Sequence, residues 1–439
     1  MRKITTTKLL SVAVASAILG GQAVAADSND SSYQLKTKTR LVYFDREYDG
    51  SVNDRTQSAI AITADWTTPQ YGGWFGVGIS PYFVEELGSD GRETTDVLNF
   101  SNGEMQGYSL IGQAFVNLTP TKDLSAKIGR QTHKSMLLSS SGSRAVPNSF
   151  QGISAQFLPV KGLSLYGAVY DKWSPRASDE FVGFQTDQSG EGDISYVSLI
   201  GLKYKKDAYT LEAEYLNSKD YISKLGLRGS YVTKREDSTL KFTAGVFGSS
   251  DNGDLFVTGA ESGELDDEDV SGSVAGITKS SNDGLAAFLE AKWNKGNTQL
   301  TAAVSKTDDI WIEDNFAGDH GTNPFPTRSR VGPDMTNANE TVLKLELKYD
   351  WKDYVPGLVT SVAAAKGWDA ENSADSSLGT ADEDWRELAV SYKVPSVKGL
   401  KFTGIIHDYN SDEVGRVDGV KGDDRDIRLY LDYTYSFNL

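Results

Sequence analysis

Cysteine is absent from all 439 residues, and histidine occurs only three times. Without cysteine the chain has no disulfide framework and no thiolate site. The three histidines, His133, His320 and His407, are far apart, and no HExxH or Cys/His spacing surrounds them. We therefore predict no metal site. We also expect no cofactor, because the short GVG at 76–78 does not open a helix as a phosphate-binding loop would.

Long apolar runs are missing as well. No window offers the ~18 consecutive apolar residues that a membrane helix needs. The N-terminus has a positively charged start, a mainly apolar stretch at 9–19 and small residues at 23–25. This order of features is typical of a secretory signal peptide. We predict a signal peptide over residues 1–25 and one folded domain over 26–439.

The chain lacks an excess of positive charge. Its formal net charge is −17, and the predicted signal peptide removes three of its cations, so the mature chain is more acidic still. This balance excludes nucleic acid as a partner. Tyrosine (21), phenylalanine (17), tryptophan (8) and glycine (43) are instead plentiful. That composition favours an all-β protein over a disordered one.

Apolar and polar residues alternate along the chain, most clearly near its two ends. In the last thirteen residues, IRLYLDYTYSFNL, every odd-numbered position is apolar or aromatic. This length suits a tilted membrane-spanning strand. In the first strand, YQLKTKTRLVY, one face carries Lys36, Lys38 and Arg40. Because Lys or Arg at the bilayer midplane costs roughly 2–4 kcal/mol, these cations must face a polar lumen or, in a soluble sheet, water.

The connections between strands are of two alternating kinds. Short polar or Pro/Gly-marked turns occur at 67–73, 119–123, 159–162, 205–208, 233–237, 295–297, 352–357 and 395–399. Longer loops occur at 45–56, 84–105, 132–149, 171–193, 217–221, 249–284, 307–339, 369–383 and 410–425. Eight turns and nine loops connect eighteen strands. We predict an all-β transmembrane antiparallel β-barrel with short periplasmic turns and long extracellular loops.

The third long loop differs from the others in composition. Residues 129–152 read GRQTHKSMLLSSSGSRAVPNSFQG, and the loop at 132–149 has only two charged residues, Lys134 and Arg144. By contrast, residues 261–269 alone hold six carboxylates, and whether they bind divalent cations stays open. An eighteen-stranded barrel encloses an aqueous channel unless something folds inside. We predict that the third loop folds into the lumen and forms a pore constriction, with the residues Ser140, Ser141, Ser143 and Arg144.

The same stretch carries a resemblance to a known family. The run from GRQ through SGSRAVP to NSFQG resembles the constriction-loop signature of the OprD family of outer-membrane channels. The segment NPFPTRSRVGPDMTNANE at 323–340, followed by LKYDW and VPG, resembles that family's seventh loop and next hairpin. The strands around YDKW and KYKKDAYTLEAEY also fit, with some likeness to the chitoporin branch. The resemblance spans essentially the whole chain after the signal peptide.

This resemblance implies an eighteen-stranded channel that is a monomer or a loose trimer. Members pass small carboxylates, amino acids or, in the chitoporin branch, chito-oligosaccharides, guided by a ladder of lumen cations that faces a narrow eyelet. Arg144 matches the arginine of the motif. Gly142 stands where an acidic residue often precedes that arginine by two positions, so the eyelet charge and the substrate stay open.

A cation ladder is also predicted from the alternation alone. The face opposite the apolar one yields Lys36, Lys38, Arg40, Lys127, Lys224, Arg228, Lys241, Lys344, Lys348 and Arg428. Rings of Lys and Arg favour anions. Closure of the barrel makes the first and last strands neighbours, and we expect this to bring 36–40 beside Arg428. For each cation the alternative is a solvated lumen charge without a transport role.

These features predict a passive channel in the Gram-negative outer membrane, for selective diffusion of small hydrophilic solutes through a constricted, cation-lined pore. Its expected partners are the solute, outer-membrane lipid and lipopolysaccharide. A general diffusion porin is the alternative within transport, and a surface adhesin or scaffold barrel is the alternative from another class. We predict no enzyme activity, because the adjacent His407 and Asp408 face opposite sides of a strand and cannot form a dyad.

Overall fold

The computed structural model describes residues 32–48, 54–90, 96–186, 192–256, 281–316, 322–372, 376–411 and 422–438. The predicted signal peptide, the acidic segment 261–269 and His320 lie outside these residues. The signal peptide and the domain start at residue 26 therefore stay predictions. Among the described residues, no helix has both the length and the apolar character to cross a bilayer.

In the described part of the chain, eighteen antiparallel strands form a closed barrel. They are β1 (Gln34–Tyr48), β2 (Arg55–Thr67), β3 (Phe75–Ser89), β6 (Tyr108–Thr121), β7 (Leu124–Gln131), β8 (Ser149–Val160), β9 (Leu163–Ser174), β11 (Val197–Lys206), β12 (Tyr209–Ser218), β13 (Ile222–Arg235), β14 (Ser238–Asp251), β15 (Asp283–Lys295), β16 (Thr298–Thr307), β17 (Thr341–Asp350), β18 (Leu358–Glu371), β19 (Thr380–Lys393), β20 (Leu400–Ser411) and β21 (Asp424–Asn438). The predicted strand number and barrel fold are confirmed.

The barrel closes by pairing its first strand with its last. The register of β1 with β21 runs from Gln34↔Asn438 to Tyr48↔Asp424. Closure matters because the bilayer core has no water to satisfy an unpaired strand edge, so a spanning sheet must pair every strand.

Alternating side chains give the barrel two different surfaces. On β17, Leu343, Leu345 and Leu347 are exposed on the outside, while Lys344 and Glu346 turn inward. The outward apolar side chains face lipid, and the inward polar ones face the lumen, as in other membrane barrels. The alternation in the sequence thus positions the lumen charges discussed below.

Aromatic residues gather at the rim that carries the short turns. Tyr71, Trp74, Trp351 and Tyr354 are all exposed there, and Trp351 Nε1 donates to Thr360 Oγ1 at 2.9 Å. An amphipathic ring with an exposed body and a hydrogen-bonded nitrogen suits the membrane–water interface.

Three short strands were not predicted from the sequence. Strands β4 (Asn99–Ser101) and β5 (Glu104–Gln106) form a hairpin in the second loop, and β10 (Val182–Gly183) pairs with β9 from the fourth loop. Each is too short for an alternating pattern to be recognised.

Buried apolar residues lie inside the barrel, where loops pack against its wall. The largest cluster joins the third loop (132–148) and the seventh loop (308–340) to inward residues of β14 and β15; its members include Met136, Leu137, Leu138, Phe247, Phe288, Trp311, Phe316 and Phe325. These loops therefore occupy the extracellular half of the lumen, and their packing holds the candidate site in place.

Candidate functional site

Two glycines face each other where the third loop leaves and rejoins the wall. Gly129 on β7 pairs with Gly152 on β8, and both have positive φ values, 124° and 154°. A Cβ on Gly152 would lie 2.1 Å from the Val169 carbonyl oxygen, and one on Gly129 would lie 2.3 Å from that of Ala114. Only glycine permits such close backbone approach at these dihedral angles.

The first half of the third loop is fixed by Glu214 on β12. Its carboxylate accepts hydrogen bonds from the Ser135 hydroxyl (2.7 Å) and from the backbone amides of Met136 and Leu137 (2.9 Å each). The Tyr166 hydroxyl donates to the same carboxylate at 2.6 Å. Charge-assisted bonds of this kind are stronger than neutral ones, so Glu214 anchors the loop to this wall.

The tip of the third loop is fixed to the opposite wall. Arg40 on β1 donates to the carbonyls of Gly142 (2.7 Å) and Arg144 (2.6 Å), and the Tyr430 hydroxyl on β21 donates to the Ser143 carbonyl at 2.8 Å. Strands β1 and β21 are the first and last of the barrel, and β12 is midway around it. The loop therefore crosses the lumen between the two anchors.

Arg144 forms its ion pair with a residue of the second loop. Its guanidinium bonds to Asp96, which is only 2% exposed and lies 3.5 Å from Arg46 Nη1. Burial opposes ionisation of Asp96, but the attraction of Arg144 and then of Arg46 outweighs it and holds the pKa of this carboxyl well below its ordinary value. The carboxylate beside Arg144 thus comes from the second loop. Gly142, which stands where the family motif often has an acidic residue, contributes no side chain, and the space beside its Cα is open.

The three predicted constriction serines bond within the third loop. Ser140 Oγ accepts from the His133 amide at 3.0 Å, and the Ser141 amide donates to Asn148 Oδ1 at 2.5 Å. The Ser141 and Ser143 hydroxyls lie 2.9 Å apart. These serines therefore hold the shape of the crossing segment.

The predicted ladder cations all lie on inward-facing strand positions, but along different walls. Lys36, Lys38 and Arg40 are on β1, Lys127 on β7, Lys224 and Arg228 on β13, Lys241 on β14, Lys344 and Lys348 on β17, and Arg428 on β21. Three of them donate to seventh-loop carbonyls: Lys224 to Glu313 (2.8 Å), Lys344 to Arg328 (3.1 Å) and Arg428 to Val331 (2.9 Å).

The expected placement of Arg428 directly beside Lys36, Lys38 and Arg40 is wrong. Arg428 lies opposite Phe44, while Arg40 lies opposite Asp432 and bonds to it at 2.7 Å. Arg428 in turn bonds to Asp426 at 3.0 Å. The strands are neighbours as expected, but their register offsets the cations and interleaves carboxylates between them. The seam is a mixed charged wall.

A cavity of about 510 Å³ lies between the first half of the third loop and the wall formed by β6 to β13. It brings together two predicted ladder cations, Lys127 and Arg228. Arg228 Nε bonds to Glu212 at 2.8 Å, and Lys203 Nζ lies 2.5 Å from the same carboxylate. Lys127 Nζ sits 4.6 Å from the centre of the Phe115 ring. This wall carries more positive than negative groups.

Apart from Arg40, sequence reasoning missed the residues that fix the third loop. Glu214 sits on the polar face of a clearly alternating strand, so it could have been picked out as an inward carboxylate. Asp432 could have been paired with Arg40 had the register been known. Asp96 follows no periodic pattern, and no signal in the sequence identifies it.

Among the described residues, no three or more His, Cys, Asp or Glu side chains are grouped to hold a metal ion. His407 is fully buried on the inward face, and Asp408 points outward beside Arg425, with Asp408 Oδ1 3.6 Å from Arg425 Nε. The two residues face opposite sides, as alternation predicts.

A family model described as outer membrane porin, OprD family, matches residues 28–437. Pseudomonas aeruginosa OpdK, crystallised with vanillate, is similar at a TM-score of 0.77 and 18% identity, over 92% of this chain and 99% of that one. Acinetobacter baumannii OccAB3 gives 0.78 and 18% over 92% and 99%, and P. aeruginosa OccK9 (OpdG) gives 0.77 and 18% over 94% and 100%. No curated protein matches the chain. The chain belongs to the OprD family of outer membrane porins, channels for small solutes.

Proposed function

We propose that this porin is a passive, selective channel for small hydrophilic solutes that carry a carboxylate, amino acids included. The observation that carries the proposal is the third loop, anchored by Glu214 on one wall and by Arg40 and Tyr430 on the other. A segment fixed at both ends narrows the bore to a defined eyelet. We assign the constriction to Arg144 with Ser140, Ser141 and Ser143.

The charge pattern of the eyelet supports a solute with both a carboxylate and a donor group. Lys38 and Arg40, both paired with Asp432, present donors and an acceptor side by side, whereas Asp96 beside Arg144 is buried. A carboxylate can bond to such an arginine while an ammonium or hydroxyl meets the neighbouring acid. These cations and carboxylates already bond to each other, so a solute that binds to them must replace part of that interaction. Binding therefore stays weak enough for the solute to leave, as conduction requires.

The lumen lysines support guidance of the carboxylate. Lys36, Lys127 and Lys241 form no ion pair with any described residue, and all three face the lumen. Such cations favour anionic groups along the path. OpdK, similar in fold, was crystallised with vanillate, a small aromatic carboxylate, which fits the same chemistry. Such a channel needs no catalytic step, and it can conduct as a monomer or as a loose trimer.

The test is conductance and current block in planar bilayers, with wild type and Arg144→Ala. Small carboxylates, basic amino acids and chito-oligosaccharides are added as blockers. We expect carboxylates and amino acids to block the wild type, with block weakened at least several-fold in the variant. A large, unblocked conductance in both proteins would instead indicate a general diffusion porin.

The adhesin alternative has a separate test. Deleting residues 261–269 should leave conductance and block largely unchanged if the barrel is a channel. Loss of cell-surface binding by this deletion, in a protein that conducts poorly, would favour an adhesin or scaffold.

A further inference from the structure

A row of polar residues crosses the outer surface of the barrel at its extracellular rim. Arg130 on β7 lies opposite Gln151 on β8, and Gln151 lies opposite Lys172 on β9. We propose that this row binds a phosphate group of lipopolysaccharide in the outer leaflet.

The three side chains face away from the lumen. Arg130 shares its face of β7 with Ile128, which is 44% exposed, and Gln151 shares its face of β8 with Ile153, which is 52% exposed. On β9 a bulge at Asp171 shifts the alternation, because Gln151 pairs with Lys172 whereas Gly152 pairs with Tyr170. The bulge turns Lys172 outward beside Gln151, a re-aiming that bulges commonly produce.

The two cations of this row have no acidic partner among the described residues. Arg130 Nε donates to Gln151 Oε1 at 3.3 Å, and its guanidinium lies 4.1 Å from the centre of the Phe181 ring. Neither contact neutralises its charge. Stacking on Phe181 holds the planar group in place and leaves its other N–H donors available for a bidentate bond to phosphate.

The opposite part of the same rim is different. Among the described residues of β18 to β21, each outward cation at this rim is matched by an acid: Lys366 with Asp382 (3.3 Å), Arg386 with Asp384 (3.4 Å) and Arg425 with Asp408 (3.6 Å). The cations of the outer rim thus form no ion pair at β7–β9, where Asp171 of the bulge is exposed next to Lys172, and are compensated by bonded acids at β18–β21. This contrast distinguishes a site for an anion from an ordinary charged rim.

An apolar surface next to the row could contact the acyl chains of a lipid whose phosphate is bound by the row. Ile128, Ile153 and the 51%-exposed Val169 lie on the lipid side of the row, about 7 Å further along the strands. Arg130 and Lys172 are two strands apart, roughly 10 Å between Cα atoms, so their long side chains can converge above Gln151. A phosphate held there would place its acyl chains on the isoleucines. The long-loop side of the barrel faces the outer leaflet, which favours lipopolysaccharide as the source.

The test compares lipid binding by two double variants of the delipidated barrel. Arg130→Gln/Lys172→Gln removes the proposed site, and Lys366→Gln/Arg386→Gln removes equal charge from the compensated rim. Native mass spectrometry titrates each with bisphosphorylated lipid A, dephosphorylated lipid A and phosphatidylglycerol. We expect the first variant to bind bisphosphorylated lipid A at least tenfold more weakly than wild type, and the second to bind within twofold of it. Wild type should bind the other two lipids at least tenfold more weakly.

Equal lipid A binding by wild type and Arg130→Gln/Lys172→Gln would overturn the proposal, and so would equal binding of the dephosphorylated form. Equal binding of phosphatidylglycerol would overturn the assignment to lipopolysaccharide. Gln151→Glu provides a second route, because a carboxylate between the two cations should also weaken binding at least tenfold. Retained heat-modifiable migration shows that each variant folds, and unchanged conductance separates this test from that of the channel.

Discussion

At the residue scale, the pairing of Arg144 with Asp96 joins the third loop to the second. Asp96 is almost completely buried, and its pKa is depressed because Arg144 and Arg46 outweigh the effect of burial. A carboxyl with a depressed folded pKa stabilises the fold above its unfolded pKa of about 3.9, and this contribution is lost as the pH falls through the folded pKa. The contact is thus fully formed at neutral pH.

Arg144→Ala should lower the free energy of unfolding at pH 7 by about 1–3 kcal/mol. The loss is below the 3–5 kcal/mol typical of a broken buried pair, because Arg46 still lies 3.5 Å from Asp96. Urea unfolding in detergent, followed by tryptophan fluorescence, measures it. Arg144→Ala/Asp96→Asn should recover part of the loss, since the uncompensated carboxylate is gone. Losses that simply add would contradict a direct interaction.

His133, at the start of the third loop, makes stability depend on pH. Burial lowers the pKa of His133 to about 4, and its Nδ1 lies 2.9 Å from the Tyr170 hydroxyl. The unfolded histidine, with a pKa of about 6.5, binds a proton that the folded one resists. The contribution of neutral His133 to the free energy of unfolding is therefore fully present above about pH 6.5 and falls as the pH drops toward 4.

His133→Gln should flatten this dependence. Between pH 7.5 and pH 5, the free energy of unfolding should fall by about 1–2 kcal/mol more in the wild type than in the variant. This range allows for the partial exposure of the His133 side chain. Urea unfolding at the two pH values measures the difference. Parallel losses in both proteins would assign the pH dependence to other groups.

At the element scale, the third loop is a segment that crosses the lumen and is hydrogen-bonded to the barrel wall at two points. One end depends on Glu214, which accepts four hydrogen bonds, and the other on Arg40 and Tyr430. The loop itself has few charged residues, so its own sequence does not fix it in a position across the aqueous lumen. Its position depends on side chains from strands that are far away in the sequence.

Glu214→Gln should loosen the first anchor. Its amide replaces one acceptor oxygen by a donor, so at least one of the backbone amides of Met136 and Leu137 loses its partner, at a cost of about 1–3 kcal/mol. We expect larger current fluctuations in single-channel recordings and a higher mean conductance.

Glu212→Gln is the matched control for this experiment. Glu212 lies on the same inward face two residues away, pairs with Arg228 and Lys203, and forms no hydrogen bond with the described residues of the third loop. Its substitution changes the lumen charge equally. Equal current noise in both variants would show that charge, and not loop anchoring, controls the fluctuations.

At the scale of the whole molecule, the lumen charges are distributed over many strands and are largely paired. The seam interleaves arginines with carboxylates, whereas Lys127 and Lys241 face the lumen without an ion pair among the described residues. The protein as a whole is strongly acidic, but selectivity depends on the local field along the bore.

Lys127→Gln/Lys241→Gln should shift the reversal potential in a KCl gradient toward cation preference. Lys306→Gln/Lys366→Gln removes the same charge from the outer surface and should change the reversal potential much less. The shift should shrink at high salt, because screening acts within about 10 Å at 0.1 M. Equal shifts for both pairs would mean that distant surface charge controls selectivity.

Much of this protein could be predicted from its sequence, because strand alternation has a period of two and lipid penalises every misplaced charge. The eighteen strands, the positions of turns and loops, and the inward direction of residues such as Lys36 and Arg428 follow from that local rule. The unusual composition of the third loop likewise indicated a segment packed against protein.

The tertiary structure alone decided which charges meet. The β1–β21 register placed Arg40 against Asp432 and moved Arg428 away, although the two strands are nearly four hundred residues apart in the chain. The partnership of Arg144 with Asp96 joins two loops without periodicity. Alternation determines the face of each side chain, whereas register and loop packing depend on the summed contacts of the closed barrel, which no local pattern encodes.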